Sequence, residues 1–193
     1  MCAACSVTAT GSGGVIITQA NGVSGTGTPL TGDGAGGIVE FDTMFQTMWD
    51  NSRLGPDTIW LAATQLVKVS KIVIANGGAP LLRLTASVTD AIANGGAIQA
   101  GAVVGTYLNK ITGVAVRLRV HPDMPAGHIF FTSKTLPYSL SGVSNVAQVV
   151  TRREYYQLEW ALRTRRYEYG VYADELLQVY FPGAFGIIRN VGN

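Results

Sequence analysis

The spacing of hydrophobic side chains in the first half of the sequence predicts helices. Between residues 41 and 49, large apolar side chains recur at i, i+3, i+4, i+7 and i+8, which is the spacing of one face of an α-helix. A second helix is predicted over residues 65–73, with Thr64 as its N-cap, and a third over residues 86–96. The face of the first helix consists of Phe41, Met44, Phe45, Met48 and Trp49.

Alternation of apolar and polar residues predicts β-strands elsewhere. Residues 114–120 place four apolar side chains on one face and two arginines on the other, and residues 128–133 are aromatic and β-prone. The prolines and the glycine of residues 122–127 indicate a turn between these strands. The sequence therefore predicts a hairpin of two paired strands, with His121 and His128 at the strand ends.

Further strands are predicted on either side of this segment. Residues 57–62 are typical of a short buried strand, and residues 101–113 are expected to pair with 114–120 through a connection near 109–113. From Asn145 onward, alternating aromatic and polar residues predict almost continuous β structure.

Residues 1–37 differ in composition from the rest, with ten glycines and a single charged residue, Asp33. Because glycine loses much conformational entropy when it is ordered, we expect an extended arm, or the remnant of an inserted β element, outside the core. An α+β domain is expected over residues 38–193. Cys2 and Cys5 form a CxxC pair that lacks the second ligand pair of a zinc site, so we assign them no role.

The composition indicates a protein that contacts other protein. Hydrophobic residues make up 47% of the 193 residues and charged residues 13%, about half the charged fraction of a typical soluble domain. Much of the surface is therefore expected to face other protein chains. The net charge of +2 is too small to indicate nucleic-acid binding by itself. No membrane partner is expected, because the sequence has no run of eighteen apolar residues.

Two polar clusters are the candidates for function. His121, Asp123 and His128 carry the lone pairs that a metal site or a hydrolytic centre needs, but no further ligand or nucleophile lies nearby. We therefore assign no catalytic, metal, cofactor or small-molecule site. The second cluster, residues 152–169, interleaves arginines and glutamates with aromatic residues. Mixed charges of this kind favour ion pairs between strands or subunits over direct binding of nucleic acid.

The order of the elements resembles a known family. An amphipathic helix is followed by "PDTIWLAATQLVKVSKI", then by "ITGVAVRLRVHPDMPAGHIFFTS" and finally by "YEYGVYADELLQVYFPGAFGIIRNV". Over residues 38–193 this order resembles the C-terminal portion of tailed-bacteriophage major capsid proteins of the Hong Kong 97 type. The resemblance implies an α+β capsid fold, with a mixed sheet like that of the family's A and P domains and flanking helices. The family's N-terminal arm and spine helix are expected to be missing or truncated.

The resemblance implies a structural subunit of a bacteriophage or prophage capsid shell, which is not an enzyme. Such a subunit assembles with copies of itself into pentamers and hexamers around the packaged genome, and is found in the virion or, expressed alone, in the host cytoplasm. Its inner face is expected to contact DNA without sequence specificity. The residues that we expect at subunit interfaces are Arg152, Arg153, Glu154, Glu159, Arg163, Arg165, Arg166, His121, Asp123 and His128.

Two alternatives stay open. The first is a nucleic-acid-binding module built on residues 152–169, whose affinity would fall with salt and with neutralisation of Arg163, Arg165 and Arg166. The second is a small hydrolase that uses the histidine cluster, which would lose activity but keep its fold on substitution of His128→Ala.

Overall fold

The chain forms two units, the larger of which is built on a seven-stranded sheet. The computed structural model describes residues 5–9, 13–21, 27–76, 104–134, 136, 143, 145–160 and 169–192. Unit 1 comprises residues 1–133 and 183–193, and unit 2 comprises residues 134–182. The sheet of unit 1 has the strand order β1-β2-β9-β6-β3-β5-β4, and unit 2 contains the two-stranded sheet β7-β8.

The described part of the chain has a mixed α+β arrangement, in which both α-helices lie in its first half. The helices are α1 (Val39–Ser52) and α2 (Ala63–Asn76). The strands are β1 (Cys5–Ala9), β2 (Val15–Gln19), β3 (Thr58–Leu61), β4 (Thr106–Leu108), β5 (Ala115–Val120), β6 (Ile129–Thr132), β7 (Ala147–Glu159), β8 (Tyr169–Val179) and β9 (Phe185–Arg189).

Both helices cover the same face of the large sheet. Phe41 of α1 packs edge-on against Phe131 of β6 and against Tyr107 of β4, with ring centroids 5.3 Å apart in each pair. Val69 of α2 lies in the same core cluster. The predicted first helix is therefore confirmed, since its apolar face is the one that is buried. The strand residues of this core are Val15, Ile17, Ile59, Leu61, Tyr107, Val116, Leu118, Ile129, Phe131 and Ile188.

The predicted hairpin around residues 122–127 is wrong in its pairing. β5 and β6 occur as expected, but β3 lies between them, parallel to β5 and antiparallel to β6. Ile59 and Leu61 of β3 are fully buried, and a strand with such a buried face gains from having a partner on each side. The connection between β5 and β6 is long enough to pass over this strand. By contrast, the predicted pairing of β4 with β5 is confirmed.

Residues 1–37 were expected to lie outside the core, and their described part contributes to it. β2 pairs in parallel with β9, at the other end of the sequence, and in antiparallel with β1. Val15 and Ile17 are buried because their alternation places both on the helix-covered face. The structure shows no division between units at residues 37 and 38.

Backbone hydrogen bonds define the end of α1 and the start of α2. α1 ends at Ser52, and its C-cap residue Arg53 adopts the left-handed conformation with φ 55° and donates its backbone N–H to the Trp49 carbonyl. α2 begins at Ala63, and the Ala62 carbonyl accepts the first backbone hydrogen bonds, so Thr64 is not its N-cap. The helix predicted over residues 86–96 lies outside the described residues. Neither described helix is long enough and apolar enough to cross a membrane.

Candidate subunit interface

Unit 2 presents a long antiparallel hairpin with an interrupted register. Ala147 pairs with Val179 near the open end, and Glu159 pairs with Tyr169 near the other. Between Thr151 and Tyr156 the register shifts twice, because β7 contains residues that have no partner on β8. The alternating sequence therefore forms the predicted strands, and bulges interrupt the regular pairing of β7.

Large apolar side chains are exposed on both faces of this hairpin. Leu176 is 70% exposed and Leu177 is 63% exposed, and these neighbours point to opposite faces because side chains alternate along a strand. Val150 lies opposite Leu176, and Val149 opposite Leu177, so each face carries a cross-strand apolar pair. The aromatic alternation of the sequence predicted a strand here, and every described residue of that strand, β8, except Gly170 is exposed.

Aromatic rings and an arginine order the middle of the hairpin. Tyr156 stacks on Tyr172 across the strands, and the guanidinium of Arg153 lies 5.6 Å from the centre of the Tyr156 ring. Tyr155 points elsewhere and is 77% exposed. Some of the aromatic surface is therefore used within the hairpin, and some faces solvent.

The expected charged interface residues lie partly on this hairpin. Arg152, Arg153, Glu154 and Glu159 are exposed on β7. No ion pair joins the described arginines of β7 to a described carboxylate of the hairpin. Their role in contacts with another chain stays a prediction. The three other arginines expected at the interface, Arg163, Arg165 and Arg166, lie outside the described residues.

His121 and Asp123 lie together in the turn that follows β5. The backbone N–H of Asp123 donates to His121 Nδ1 at 3.2 Å, which places the proton of a neutral imidazole on Nε2. The Asp123 carboxylate, 3.8 Å from the same nitrogen and 89% exposed, is too far away for a hydrogen bond. The His121 ring packs edge-on against Trp60, with centroids 6.0 Å apart.

His128 makes its contacts with the turn itself. Its Nδ1 donates to the Ala126 carbonyl at 3.2 Å. In the neutral form His128 therefore has its proton on Nδ1, whereas His121 has it on Nε2. Gly127 has φ +78°, and its carbonyl accepts a hydrogen bond from the Val191 backbone at 3.0 Å. No group of three histidine, cysteine or acidic side chains in the described ranges is arranged to hold a metal ion. The hydrogen bond to Val191 holds this turn against the C-terminal segment.

Sequence reasoning missed a charged network that fixes the start of α1. Lys110 donates to Asp33 and, at 2.8 Å, to Asp42 Oδ2. Asp42 also accepts a hydrogen bond from the Tyr107 hydroxyl, which in turn accepts one from the Ile38 backbone at 2.7 Å. The hydrogen bond from Lys110 lowers the pKa of Asp33 to about 2, and burial raises the pKa of Tyr107. The residues are too far apart in sequence for a local pattern to reveal the network.

A second missed feature is a buried amide beside an apolar cavity. Gln65 is fully buried at the start of α2, and neither its Oε1 nor its Nε2 has a hydrogen-bond partner among the described residues. It lines a cavity of about 220 Å³ together with Leu30, Ile72 and Val191. The carbonyl of Gly192 at the same site accepts a hydrogen bond from Lys68 at 3.3 Å.

Comparison with known proteins finds several similar chains among the solved structures. This chain is similar to a phage-related protein from Bordetella bronchiseptica RB50, with 13% sequence identity and a TM-score of 0.39. The similarity covers 79% of this chain and 49% of that one, so this chain spans about half the length of that structure. A TM-score of this size does not establish a shared fold. No protein-family model matches the sequence, and neither does any curated protein.

Proposed function

We propose that this chain is a structural subunit of a bacteriophage or prophage capsid shell with a Hong Kong 97-like fold, and that it associates with copies of itself through the β7–β8 hairpin. The observation that carries the proposal is the exposure of apolar side chains on both faces of this hairpin. The resemblance of residues 38–193 to phage capsid proteins is the reason for proposing a capsid shell as the assembly. The proposed role is structural and involves no enzymatic activity or cofactor.

The energetics of the hairpin support association. A large apolar side chain contributes about 1.5–3 kcal/mol when it is moved from solvent to a buried site. A two-stranded hairpin alone is only marginally stable in water, and it gains stability when another surface covers it. Leu176, Leu177 and Val171, all of which are more than half exposed, are the side chains with most to gain. Contiguous exposed apolar surface of this kind is typical of protein interaction sites.

A nucleic-acid-binding role is the second candidate, and one observation favours it. Tyr155 is exposed on the same strand as Arg152 and Arg153, and the exposed Trp160 directly follows that strand. Exposed aromatic rings beside arginines are a combination that stacks bases and binds phosphates. Substitution of both arginines with glutamine would then weaken binding to single-stranded DNA and reduce its salt dependence. A shell subunit that contacts packaged DNA would combine both roles.

Light scattering and negative-stain imaging across a range of concentration and salt test the proposed function. Association that grows with concentration, with rings, capsomers or shells in the images, is the expected result. Because the interface is apolar, association should persist at high salt, where binding that depends on phosphate contacts falls. A chain that stays monomeric at every concentration and salt tested would overturn the proposal.

A further inference from the structure

The two outer edges of the β7–β8 hairpin differ in regularity. Both register shifts insert extra residues into β7, one between Thr151 and Arg153 and one between Arg153 and Tyr156. β8 runs without an inserted residue from Tyr169 to Val179. Bulges interrupt the row of backbone donors and acceptors that a further strand would need, so they protect an edge from pairing.

The charges of the hairpin differ between the edges in the same way. Arg152, Arg153 and Glu154 lie at the bulges of β7, and charged side chains on an edge strand also oppose pairing. β8 carries only Asp174 and Glu175, and exposed apolar side chains flank this acidic pair on both sides. Of the two edges, β8 is therefore the one that is suited to accept another strand.

We propose that β8 pairs along its outer edge with β8 of a second copy, antiparallel and about a two-fold axis, so that two hairpins form one four-stranded sheet. This inference rests on the proposed function, because it names the surface through which two copies associate. The other described outer edges do not match β8, which has 11 residues, since β1 has 5 and β4 has 3. A second β8 supplies an edge of equal length and regularity.

The charges select the register of this pairing. A two-fold axis at Asp174 or at Glu175 would place identical carboxylates directly opposite each other, which is destabilising. An axis at Ala173 keeps the strands overlapped from Tyr169 to Leu177. In that register Asp174 lies opposite Tyr172 of the second copy, and Glu175 lies opposite Val171.

Disulfide trapping in the full chain tests the edge and the register together. Cys2 and Cys5 are first replaced by serine, and Ala173→Cys is then introduced at the proposed axis. Opposed residues in an antiparallel pair have Cα atoms about 4.5–5.5 Å apart, which is within the range of a disulfide. The matched control is Thr151→Cys, an exposed position on the same face of the hairpin but on β7. In the proposed sheet two such cysteines are separated by three strand spacings and are also offset along the strands, so they are more than about 14 Å apart, which is too far to bridge.

The expected result, under oxidising conditions at a concentration where light scattering shows association, is a covalent dimer of the Ala173→Cys chain and none of the Thr151→Cys chain. If the chain associates and Thr151→Cys forms the dimer equally well, or neither variant does, the β8 pairing is overturned while self-association stands. If no variant associates at any concentration, both the pairing and the proposed function fail. Circular dichroism of each variant confirms that its fold is unchanged.

Discussion

Tyr156 on β7 stacks on Tyr172 on β8, with ring centroids 5.8 Å apart and an angle of 29° between the ring planes. Arg153 covers the same Tyr156 ring. The stack lies directly beyond the second register shift of β7, where the two strands resume regular pairing. It therefore holds the register at the point where the backbone is least regular.

Replacement of Tyr172 with leucine should loosen the hairpin. An aromatic pair contributes about 0.5–1.5 kcal/mol beyond the area that it buries, and leucine keeps the apolar character without the ring. Hydrogen exchange of the β7 and β8 amides is expected to accelerate about 2- to 10-fold, as this free energy requires. Tyr155→Leu is the matched control, because its ring is exposed. Equal acceleration in both variants would contradict a role for the stack.

Replacement of Lys110 with methionine should raise the pKa of Asp33. In the folded chain the Lys110 hydrogen bond holds this pKa at about 2, below its ordinary value of 3.8. A lowered carboxyl pKa contributes stability that is present above pH 3.8 and is lost as the pH falls through about 2. Loss of Lys110 should therefore move acid unfolding to higher pH.

Carboxyl NMR titration of Asp33 measures this effect directly. In the Lys110→Met chain the pKa should rise from about 2 towards 3.8, because burial, which raises it, is then opposed only by the backbone N–H groups of Ala35 and Gly37, which still donate to the carboxylate. Lys71→Met removes another exposed lysine of unit 1 and should leave the titration unchanged. An Asp33 pKa that stays near 2 without Lys110 would show that the backbone hydrogen bonds alone are sufficient.

How far the sequence predicts this structure depends on whether a feature is local. The face of α1 is evident because Phe41 and Phe45 lie one helical turn apart, and β4 and β5 are close in sequence. The insertion of β3 between β5 and β6 depends on pairing between residues that are far apart in the sequence. The alternation within each strand does not indicate which strands pair. The burial of Val15 likewise depends on β9, at the far end of the chain.

The candidate interface was predicted from its charged residues, whereas the structure shows that it also exposes large apolar side chains. Alternation around Tyr156 and Leu158 predicted a strand, but a pattern of this kind indicates which side chains share a face and not what covers that face. The adjacent pair Leu176 and Leu177 was the available signal, since it places apolar side chains on both faces of one strand. The Lys110 network and the buried Gln65 offered no comparable local pattern.

Replacement of Gln65 with leucine should stabilise unit 1. Burial of an amide group without a hydrogen bond costs about 1–3 kcal/mol, and leucine and glutamine have similar helix propensities. We expect the free energy of unfolding, measured in urea, to rise by about 1–3 kcal/mol. Gln19→Leu is the comparison, because Gln19 Oε1 accepts a hydrogen bond from Thr28 at 3.3 Å and its loss offsets the gain. A less stable Gln65→Leu chain would indicate that water in the adjoining cavity bonds to the amide.

Replacement of Leu176 with lysine should weaken self-association without unfolding the chain. The side chain is 70% exposed, so the substitution removes few contacts within the hairpin. In an associated state the lysine would have to be desolvated, and the apolar contribution of the leucine, about 1.5–3 kcal/mol, would be lost. The association constant measured by sedimentation is therefore expected to fall by at least about tenfold. Val67→Lys, at a 49% exposed position on α2, is the matched control and should associate like the unmodified chain. If both substitutions weaken association equally, the effect comes from added charge in general, and the hairpin is not the surface through which the copies meet.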